Sequence, residues 1–273
     1  MTTARVSVVV PSFNEPPEVL GAALGSLKVQ TFRDFECIVV DESTEARSAS
    51  FGQAFCAADA RFHYIRPAHR IGLAASLNLG IESACGELIA RFDADDVANP
   101  VRLERQVAFL DEHPQVGLVG SDMEIVDDEG WHTAFRRYPT DHTAIRRAMQ
   151  TTNAVAHPTV MYRRSVVDAH GRYDPTFRYS EDLELWLRWL NAGVVFANLG
   201  QPLVRYRQAR TVRGRAHWES NLRARRLHFA GDHLARRLLG LGALALWMAV
   251  PAGLQERAYR RLMLQRTVLP ANS

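Results

Sequence analysis

Cysteine is scarce in this chain of 273 residues, which contains 3 of them. Cys37, Cys56 and Cys85 are odd in number and lack the close spacing of metal ligands. A disulfide framework and a cysteine-based zinc site are therefore excluded as organising features. We expect buried thiols in a reducing compartment and hence a cytoplasmic protein.

Signals for export, repetition and linkers are also missing. Met1 to Arg5 lead straight into an apolar run, without the architecture of a signal peptide. The sequence has no internal repeat and no low-complexity linker. Its 47% hydrophobic and 23% charged residues are typical of a globular protein, and its formal net charge of +3 is near neutral. We expect no nucleic-acid partner.

Two common nucleotide-binding motifs are absent. The loop after the first apolar run carries Pro11, Pro16 and Pro17, where a dinucleotide-binding fold requires the glycines of G-x-G-x-x-G. The phosphate-binding loop G-x-x-x-x-G-K-[ST] does not occur either. These absences argue against a dinucleotide-dependent enzyme and against a P-loop nucleotidase.

What is present is an alternation of apolar runs and helical patterns through the first hundred residues. The runs are rich in β-branched residues and end in polar ones, which indicates strands. This order predicts an α/β fold with a Rossmann-like, mainly parallel sheet and helices on both faces. The predicted strands are Val6–Val10, Phe35–Val40, Phe62–Arg66 and Leu88–Phe92, with two more at Val116–Gly120 and Met123–Val126.

Three carboxylates follow the fourth strand within four residues, at Asp93, Asp95 and Asp96. Carboxylates this close repel one another unless a cation lies among them, and hard oxygen ligands suit Mg²⁺ or Mn²⁺. Taken alone, the cluster fits either a metal site or a solvated acidic turn with a helix cap. Behind it, Asn99 with Pro100 predicts the start of a helix.

The ends of the predicted strands bring polar side chains to one rim of the sheet, where α/β proteins bind ligands. Asp41 can accept hydrogen bonds from a base or a ribose, and Phe13 offers a ring for base stacking. A diphosphate requires positive charge, which a metal at Asp95 would supply. The rim suits a nucleoside diphosphate with a metal. It gathers Asn14, Glu15, Asp41, Asp93 and Asp95.

Short motifs then occur in a characteristic order. They are Val8–Glu15, Gln30–Phe32, Val39–Ser43, Gly72–Asn78 and Asp93–Asp96, followed by His157–Met161, Gly171–Asp174 and Glu181–Arg188. Together they resemble the family 2 glycosyltransferases, which have the GT-A fold. The likeness is most specific over residues 5–105 and continues more weakly to residue 210.

The resemblance implies an inverting transfer of a sugar from a UDP-, GDP- or dTDP-sugar, assisted by Mn²⁺ or Mg²⁺. It implies a glycan or lipid-linked acceptor in cell-envelope or polysaccharide biosynthesis. The donor-binding residues that it implies are Pro11, Phe13, Asn14, Glu15, Asp41, Arg70 and Asp93. The implied metal ligands are Asp93, Asp95 and His157.

Four of the candidate residues keep a second interpretation. Arg70 either reaches a donor phosphate or is simply exposed. His157 either serves the metal or the leaving group, or is a structural residue before a proline turn. The family likeness makes Asp182 the general base, with Glu181 as its helper or as an acceptor contact. On spacing alone, these two acids merely complement the first turn of a helix.

The chain has Arg70-Ile71-Gly72 where the family usually has Asn-x-Gly. Two further departures from the family pattern occur. The usual Asp-Asp-Gly-Ser after the second strand is replaced by Asp41-Glu42-Ser43-Thr44. The Q-x-x-R-W signature of processive polymerases is absent, since Gln208 is followed by Arg210 without a tryptophan. The absence of this signature favours the addition of a single sugar over polymerisation.

The C-terminal part has a different character. Ten arginines lie between Arg205 and Arg237 against two acids, and 17 uncharged residues follow from Leu238 to Leu254. This apolar stretch is short for a bilayer span, which needs about 20 residues. We predict a GT-A domain at 1–212, with a donor half at 1–105 and an acceptor half at 106–212, and a helical extension at 213–273. Residues 213–260 would contact a membrane surface, form a homodimer or fold back on the domain.

Two other functions compete with the glycosyltransferase. Asp93–Val97 superficially fits the D-x-D-x-[TV] motif of a phosphohydrolase. That motif normally follows the first strand of its fold, and here it follows the fourth. The second competitor is a nucleotide-sugar-binding protein without turnover, against which the intact Asp93, Asp95 and Asp182 argue.

Overall fold

The computed structural model describes residues 4–208, 214–230, 233–251, 253–255 and 258. Its strands form one sheet of nine. They are β1 (Val6–Ser12), β2 (Phe35–Asp41), β3 (Phe62–Ile65), β4 (Leu88–Arg91), β5 (Val97–Ala98), β6 (Val116–Val126), β7 (His132–Arg136), β8 (Met161–Arg163) and β9 (Val195–Arg207). Their order across the sheet is β3-β2-β1-β4-β8-β6-β9-β5, with β7 paired to β6.

Helices fill the connections between these strands. The α-helices are α1 (Pro17–Lys28), α2 (Ala46–Ala57), α3 (Leu73–Ser83), α4 (Arg102–Glu112), α5 (His142–Ala148), α6 (Arg164–His170), α7 (Glu181–Asn191), α8 (Arg215–Leu227) and α9 (Leu234–Met248). A single 3-10 turn covers His157–Thr159. None of the helices in the described ranges combines the length and the apolar character that crossing a bilayer requires.

The first four strands form a parallel block with β1 between β2 and β4. Since parallel strands end on the same side, the loops after β1, β2 and β4 meet at one edge of the sheet. Beyond β4 the sheet is mixed, because β8 runs antiparallel to both β4 and β6. The predicted α/β fold is therefore confirmed, and every antiparallel pair includes at least one strand that follows β5.

Helices cover both faces of the sheet, as predicted. On one face, Leu20 and Leu24 of α1 and Leu103 of α4 are buried in one apolar cluster. On the other face, Leu77 of α3 and Trp186 of α7 belong to a second cluster. These layers hold the strand ends rigidly, which is the condition for placing polar side chains at a shared rim.

Three local predictions are wrong. The two short strands predicted between residues 116 and 126 are one strand, β6, because parallel pairing with β9 continues across a register shift in its middle. The helix predicted to start at Asn99 and Pro100 begins later, at Arg102, and the side-chain oxygen of Asn99 accepts from the Val101 N–H at 3.2 Å in the turn before it. Cys37 and Cys56 are buried, but Cys85 is exposed.

The C-terminal helices fold back onto the rest of the protein. α8 packs on α7, and α9 packs on α8. Within α9, a Cβ added at Gly240 would lie 2.3 Å from the carbonyl oxygen of Gln150, so the two backbones are in close contact. Arg225 donates to the carbonyl oxygen of Met149 at 2.7 Å. Membrane contact, a homodimer and folding back were the three arrangements considered for this segment. The described residues of α8 and α9 fold back on the protein.

Most of the arginines in this part serve internal contacts. Of the ten between Arg205 and Arg237, Arg210 and Arg213 lie outside the described residues. Six of the remaining ones donate within the protein: Arg205, Arg207, Arg215, Arg223, Arg225 and Arg237. A mainly electrostatic role at a membrane is therefore disfavoured, because these side chains already have carbonyl, amide, hydroxyl or carboxylate partners.

Candidate active site

The acidic cluster lies in the loop after β4, at the edge where the parallel strands end. The carboxylates of Asp93, Asp95 and Asp96 each offer an oxygen within 4.8 Å of the others. Asp96, which the sequence analysis did not include among the metal ligands, accepts from the backbone N–H of Arg207 on β9 at 2.9 Å. Arg91, the last residue of β4, forms an ion pair with Asp93.

Electrostatics at this cluster fit a cation. Burial and the charge of Asp93 together raise the pKa of Asp95 to about 6. Burial also raises the pKa of Asp96 well above its ordinary value. One carboxylate oxygen of Asp96 is buried with no hydrogen-bond partner among the described residues. Incompletely compensated carboxylates of this kind suit a hard divalent ion such as Mg²⁺ or Mn²⁺.

Glu15 belongs to the same group. It follows β1, and its pKa is raised to about 7 by burial and by the charges of Asp95 and Asp93. These effects show that the loops after β1 and β4 bring their acids together at the rim. The sequence analysis assigned Glu15 to donor binding, and the structure places it beside the cluster of Asp93, Asp95 and Asp96.

A cavity of about 310 Å³ opens at this rim. It is lined by six of the residues predicted for the donor and the metal, namely Pro11, Phe13, Glu15, Arg70, Asp93 and Asp95. We call it the rim cavity. The guanidinium of Arg70 lies 3.8 Å from the centre of the Phe13 ring, so the two side chains form a cation–π pair. Base stacking on that face of Phe13 would require Arg70 to move.

Two predicted donor residues are not in the lining of the rim cavity. The side-chain oxygen of Asn14 accepts from the backbone N–H groups of Thr44 and Glu45 at 2.8 and 2.9 Å. Asp41 accepts from the Ser43 N–H at 2.9 Å and from the Tyr64 hydroxyl at 2.6 Å. Both side chains tie rim loops together, and their contact with a donor stays a prediction.

Glu42 is a rim residue that the sequence analysis did not propose. Its carboxylate accepts from the N–H groups of Ile71 and Gly72 at 2.6 and 2.9 Å, and it also bonds the hydroxyl of Ser76. It thereby fixes the loop that carries Arg70 and the start of α3. The sequence did contain a signal for this residue, because Glu42 lies where the chain has Asp-Glu-Ser-Thr in place of the family's Asp-Asp-Gly-Ser.

Glu181 and Asp182 begin α7, as predicted. Asp182 accepts from the side-chain amide of Asn153 at 2.7 Å and from the Leu183 N–H at 2.7 Å. Burial raises the pKa of Asp182. Burial and the charge of Asp182 raise the pKa of Glu181 to about 8. Glu181 is therefore mainly protonated at pH 7, and the hydrogen bonds from Leu183 and Asn153 favour the charged form of Asp182.

His157 lies next to this pair and is not in the carboxylate cluster found among the described residues. Its Nε2 is 2.8 Å from the Tyr173 hydroxyl, and its Nδ1 is 3.7 Å from a carboxylate oxygen of Glu181. Burial and the charge of Arg91 lower its pKa, so the ring is neutral. The role of His157 as a metal ligand stays a prediction.

Arg91 connects the two groups of acids. The side chain is buried, pairs with Asp93, and its charge lowers the pKa values of both Glu181 and Asp182. Its Nε has no hydrogen-bond partner within the described part of the chain. The sequence analysis missed this residue, although a charged side chain inside the apolar run Leu88–Phe92 was a visible signal.

A second cavity, of about 400 Å³, lies beside Asp182. It extends between the first part of the chain and the C-terminal helices, with Trp218 of α8 and Trp247 of α9 in its lining. We call it the interhelical cavity. Tyr206 of β9 lines both this cavity and the rim cavity, so the two meet at that side chain. A ligand at the carboxylate cluster and a ligand at Asp182 would thus be neighbours.

The chain is similar in sequence to known sugar-transferring enzymes. The model of the protein family described as "Glycosyl transferase family 2" matches residues 7–171 of this chain. The amylovoran biosynthesis glycosyltransferase AmsE of Erwinia amylovora is 30% identical over 202 residues, covering 74% of this chain and 75% of that protein. The O-antigen biosynthesis glycosyltransferase WbnJ of Escherichia coli is 30% identical, covering 68% of this chain and 72% of its own length.

Solved structures show the same fold. S. aureus TarS 1-349 in complex with UDP-GlcNAc superposes with a TM-score of 0.69 at 19% identity, covering 88% of this chain and 71% of that one. The mannosyltransferase PcManGT from Pyrobaculum calidifontis, in complex with GDP-Man and Mn²⁺, gives a TM-score of 0.64 at 16% identity, covering 96% and 76%. The sequence match, the fold and the carboxylate cluster agree, and the chain belongs to the family 2 glycosyltransferases.

Proposed function

We propose that the chain transfers a single sugar from a nucleoside-diphosphate donor to a glycan acceptor, with inversion at the transferred carbon. The observation that carries this proposal is the meeting of the two cavities at Tyr206. The rim cavity is lined by Asp93 and Asp95, whose carboxylates suit a metal ion, and the interhelical cavity is lined by Asp182. A donor and an acceptor bound in these cavities would bring their reacting atoms together.

The donor binds in the rim cavity, with its diphosphate toward the carboxylate cluster. Proteins of the same fold have been solved with ligands of this class, TarS with UDP-GlcNAc and with UDP, and the mannosyltransferase PcManGT with GDP-Man. UDP-, GDP- and dTDP-sugars are therefore the donors to test. Arg70 and the aromatic ring of Phe13 are the side chains in the cavity that suit phosphate and base.

Asp93, Asp95 and Asp96 would hold a divalent ion, for which Mn²⁺ in the complex of the mannosyltransferase is a precedent. Such an ion supplies charge stabilisation for the departing diphosphate. The chain's own contribution is to keep the three carboxylates close, through the Asp96 contact to β9 and the short loop after β4. Glu15 adds a fourth acid beside them.

The pKa of Asp95 gives a pH prediction. Because this carboxyl has a pKa of about 6, protons compete with a metal ion below that pH, and Mn²⁺ affinity should fall by about tenfold per pH unit there. Isothermal titration calorimetry of Mn²⁺ from pH 7.5 down to pH 5 measures this. Affinity that stays constant through pH 6 would show that Asp95 does not bind the ion.

Asp182 acts as the general base. The acceptor hydroxyl gives its proton to Asp182, its oxygen bonds to the sugar carbon, and the bond from that carbon to the diphosphate breaks with its electron pair leaving on the diphosphate oxygen. Attack from the side opposite the leaving group inverts the configuration. The amide of Asn153 orients the carboxylate of Asp182, and its hydrogen bond favours the charged form that a general base requires.

The acceptor is a glycan end, carried on a lipid or on a growing polysaccharide. Two relatives of this chain are named for amylovoran and O-antigen biosynthesis, which supports a role in cell-envelope polysaccharide assembly. A thermal-shift screen tests donor binding. A bound nucleotide sugar with Mn²⁺ should raise the melting temperature, because a ligand of the native state stabilises it by mass action. Stabilisation by none of the UDP-, GDP- and dTDP-sugars would contradict the proposal.

The surface of α9 supports a contact with a membrane that carries the acceptor. One side of α9 faces the interhelical cavity, whereas Leu239 and Leu246 are 71% and 75% exposed. No charged residue occurs between Leu238 and Met248. An apolar helix face of this kind can lie in the headgroup region of a bilayer. It would bring the mouth of the cavity to the lipid surface.

This contact predicts that the full chain sediments with anionic liposomes, and that much of the binding survives high salt because apolar burial is not screened. Leu239→Ser with Leu246→Ser should abolish sedimentation, while Trp131→Ser, at a residue that is 73% exposed elsewhere, should not. If the unaltered chain ignores liposomes and light scattering gives the mass of a dimer that the leucine variant loses, the exposed face is a homodimer contact.

A further inference from the structure

The interhelical cavity is built by distant parts of the chain. Ser180 and Asp182 contribute from the start of α7, Tyr138 from the segment after β7, and Trp218 and Trp247 from α8 and α9. Its volume of about 400 Å³ is within the range of pockets that enclose small organic ligands. The C-terminal helices are therefore one wall of a site whose opposite wall holds the general base of the proposed function.

That wall is held by specific contacts. The indole N–H of Trp218 donates to the side-chain oxygen of Gln255 at 3.0 Å, and the Gln255 amide donates to the carbonyl oxygen of Trp247 at 2.6 Å. The two indole rings meet edge to face with centres 6.0 Å apart. Gly240 allows α9 to approach Gln150, where any larger residue would clash with backbone. The aromatic pair is thus fixed in place.

Two polar atoms of the lining residues lack partners. The hydroxyl of Ser180 and the indole nitrogen of Trp247 are both buried, and neither has a hydrogen-bond partner within the described residues. Ser180 is only 6% exposed and adopts a left-handed backbone conformation with a φ of 57°. A buried polar group without a partner is unfavourable, so a ligand that bonds to it gains affinity. Both groups would be satisfied by hydroxyls of a ligand.

We propose that the interhelical cavity is an acceptor subsite that binds a sugar ring, with Trp218 and Trp247 as its aromatic wall and with Ser180 and the Trp247 indole as hydrogen-bond partners of ring hydroxyls. The assignment of this sugar as the acceptor rests on the proposed function. An alkyl chain fits less well, because it would leave the Ser180 hydroxyl and the Trp247 N–H without partners.

The subsite is tested by saturation-transfer difference NMR on the full chain. The probes are the methyl glycosides of glucose, galactose, mannose, N-acetylglucosamine and rhamnose, each with and without Mn²⁺ and UDP, GDP or dTDP. We expect at least one glycoside to bind. Ser180→Ala and Trp247→Phe, which each remove one hydrogen-bonding group, should weaken it about fivefold. Gly240→Val should abolish binding by displacing α9 from Gln150.

Controls separate this inference from the proposed function. Leu246→Ala, on the exposed side of α9, should bind the glycoside like the unaltered chain. In all variants the affinity for nucleoside diphosphate with Mn²⁺ should be unchanged, because the rim cavity is untouched. Ser180→Ala carries the test if Gly240→Val fails to fold, since the Ser180 hydroxyl has no partner in the described structure to lose.

Three outcomes overturn the subsite. They are no glycoside binding under any condition, binding that is the same in Ser180→Ala and Trp247→Phe as in the unaltered chain, and binding of 1-octanol in place of the glycosides. None of them affects nucleotide binding, which tests the proposed function separately. Conversely, loss of nucleotide binding with intact glycoside binding would contradict the donor assignment and leave the sugar subsite standing.

Discussion

Replacement of Asp182 by asparagine is expected to lower kcat by about 10²-fold or more while leaving donor affinity unchanged. Asparagine keeps the size of the side chain and can still meet the amide of Asn153, but it cannot take the proton of the acceptor hydroxyl. The measurement is nucleoside-diphosphate release in the presence of acceptor, with donor affinity determined in parallel by calorimetry.

Glu181→Gln is the matched control for this variant. Because the pKa of Glu181 is raised to about 8, its carboxyl is mainly protonated at pH 7, and glutamine reproduces that neutral state. We expect this variant to keep most of the activity. If Asp182→Asn turned over normally and Glu181→Gln did not, the two roles would be exchanged. If both were fully active, Asp182 would be only an acid at the start of α7.

The second large effect is expected at the carboxylate cluster. Asp95→Asn should abolish the Mn²⁺-dependent part of nucleoside-diphosphate binding with little loss of fold stability. The reason is that burial disfavours the charged form of Asp95 and the charge of Asp93 repels it, as its raised pKa shows, so removal of this charge relieves an unfavourable interaction. Calorimetric titration of the nucleotide with and without Mn²⁺ measures the first effect, and thermal unfolding measures the second.

Glu129→Gln provides the control, since it removes the same charge from the exposed turn between β6 and β7. It should leave both nucleotide binding and its dependence on Mn²⁺ unchanged. Retention of metal-dependent binding in Asp95→Asn would mean that the ion, if present, is held elsewhere. A large drop in melting temperature would instead give Asp95 a structural role.

The sequence was most informative where structure is local. Apolar β-branched runs that end in polar residues predicted β1, β2, β3 and β4, and their parallel order placed Glu15, Asp93 and Asp95 at one rim. Neither inference needed knowledge of distant contacts. The same reasoning did not distinguish rim residues that face a ligand from those that tie loops together. Asn14 and Asp41 prove to be bonded to neighbouring loops.

What the sequence did not reveal depends on long-range contacts. In the sequence, Arg91 is only a charged residue inside an apolar run. The fold brings it close both to Asp93 and to the acids at the start of α7. The C-terminal helices have the composition of a membrane-surface segment, yet the contact of Gly240 with Gln150 docks them on the protein. Most of the described arginines near them bind carbonyl, carboxylate and other polar groups of the chain itself, which charge counting does not show.

The central claim is metal-dependent transfer from a nucleotide sugar, and the release of nucleoside diphosphate tests it most directly. The full chain is incubated with UDP-, GDP- and dTDP-sugars and with the methyl glycosides as acceptors, with Mn²⁺ or with EDTA, and the nucleoside diphosphate is quantified. We predict release from at least one donor, lost in EDTA and in Asp95→Asn. Release from none of the donors, or phosphate release from a phosphomonoester in its place, would contradict the claim.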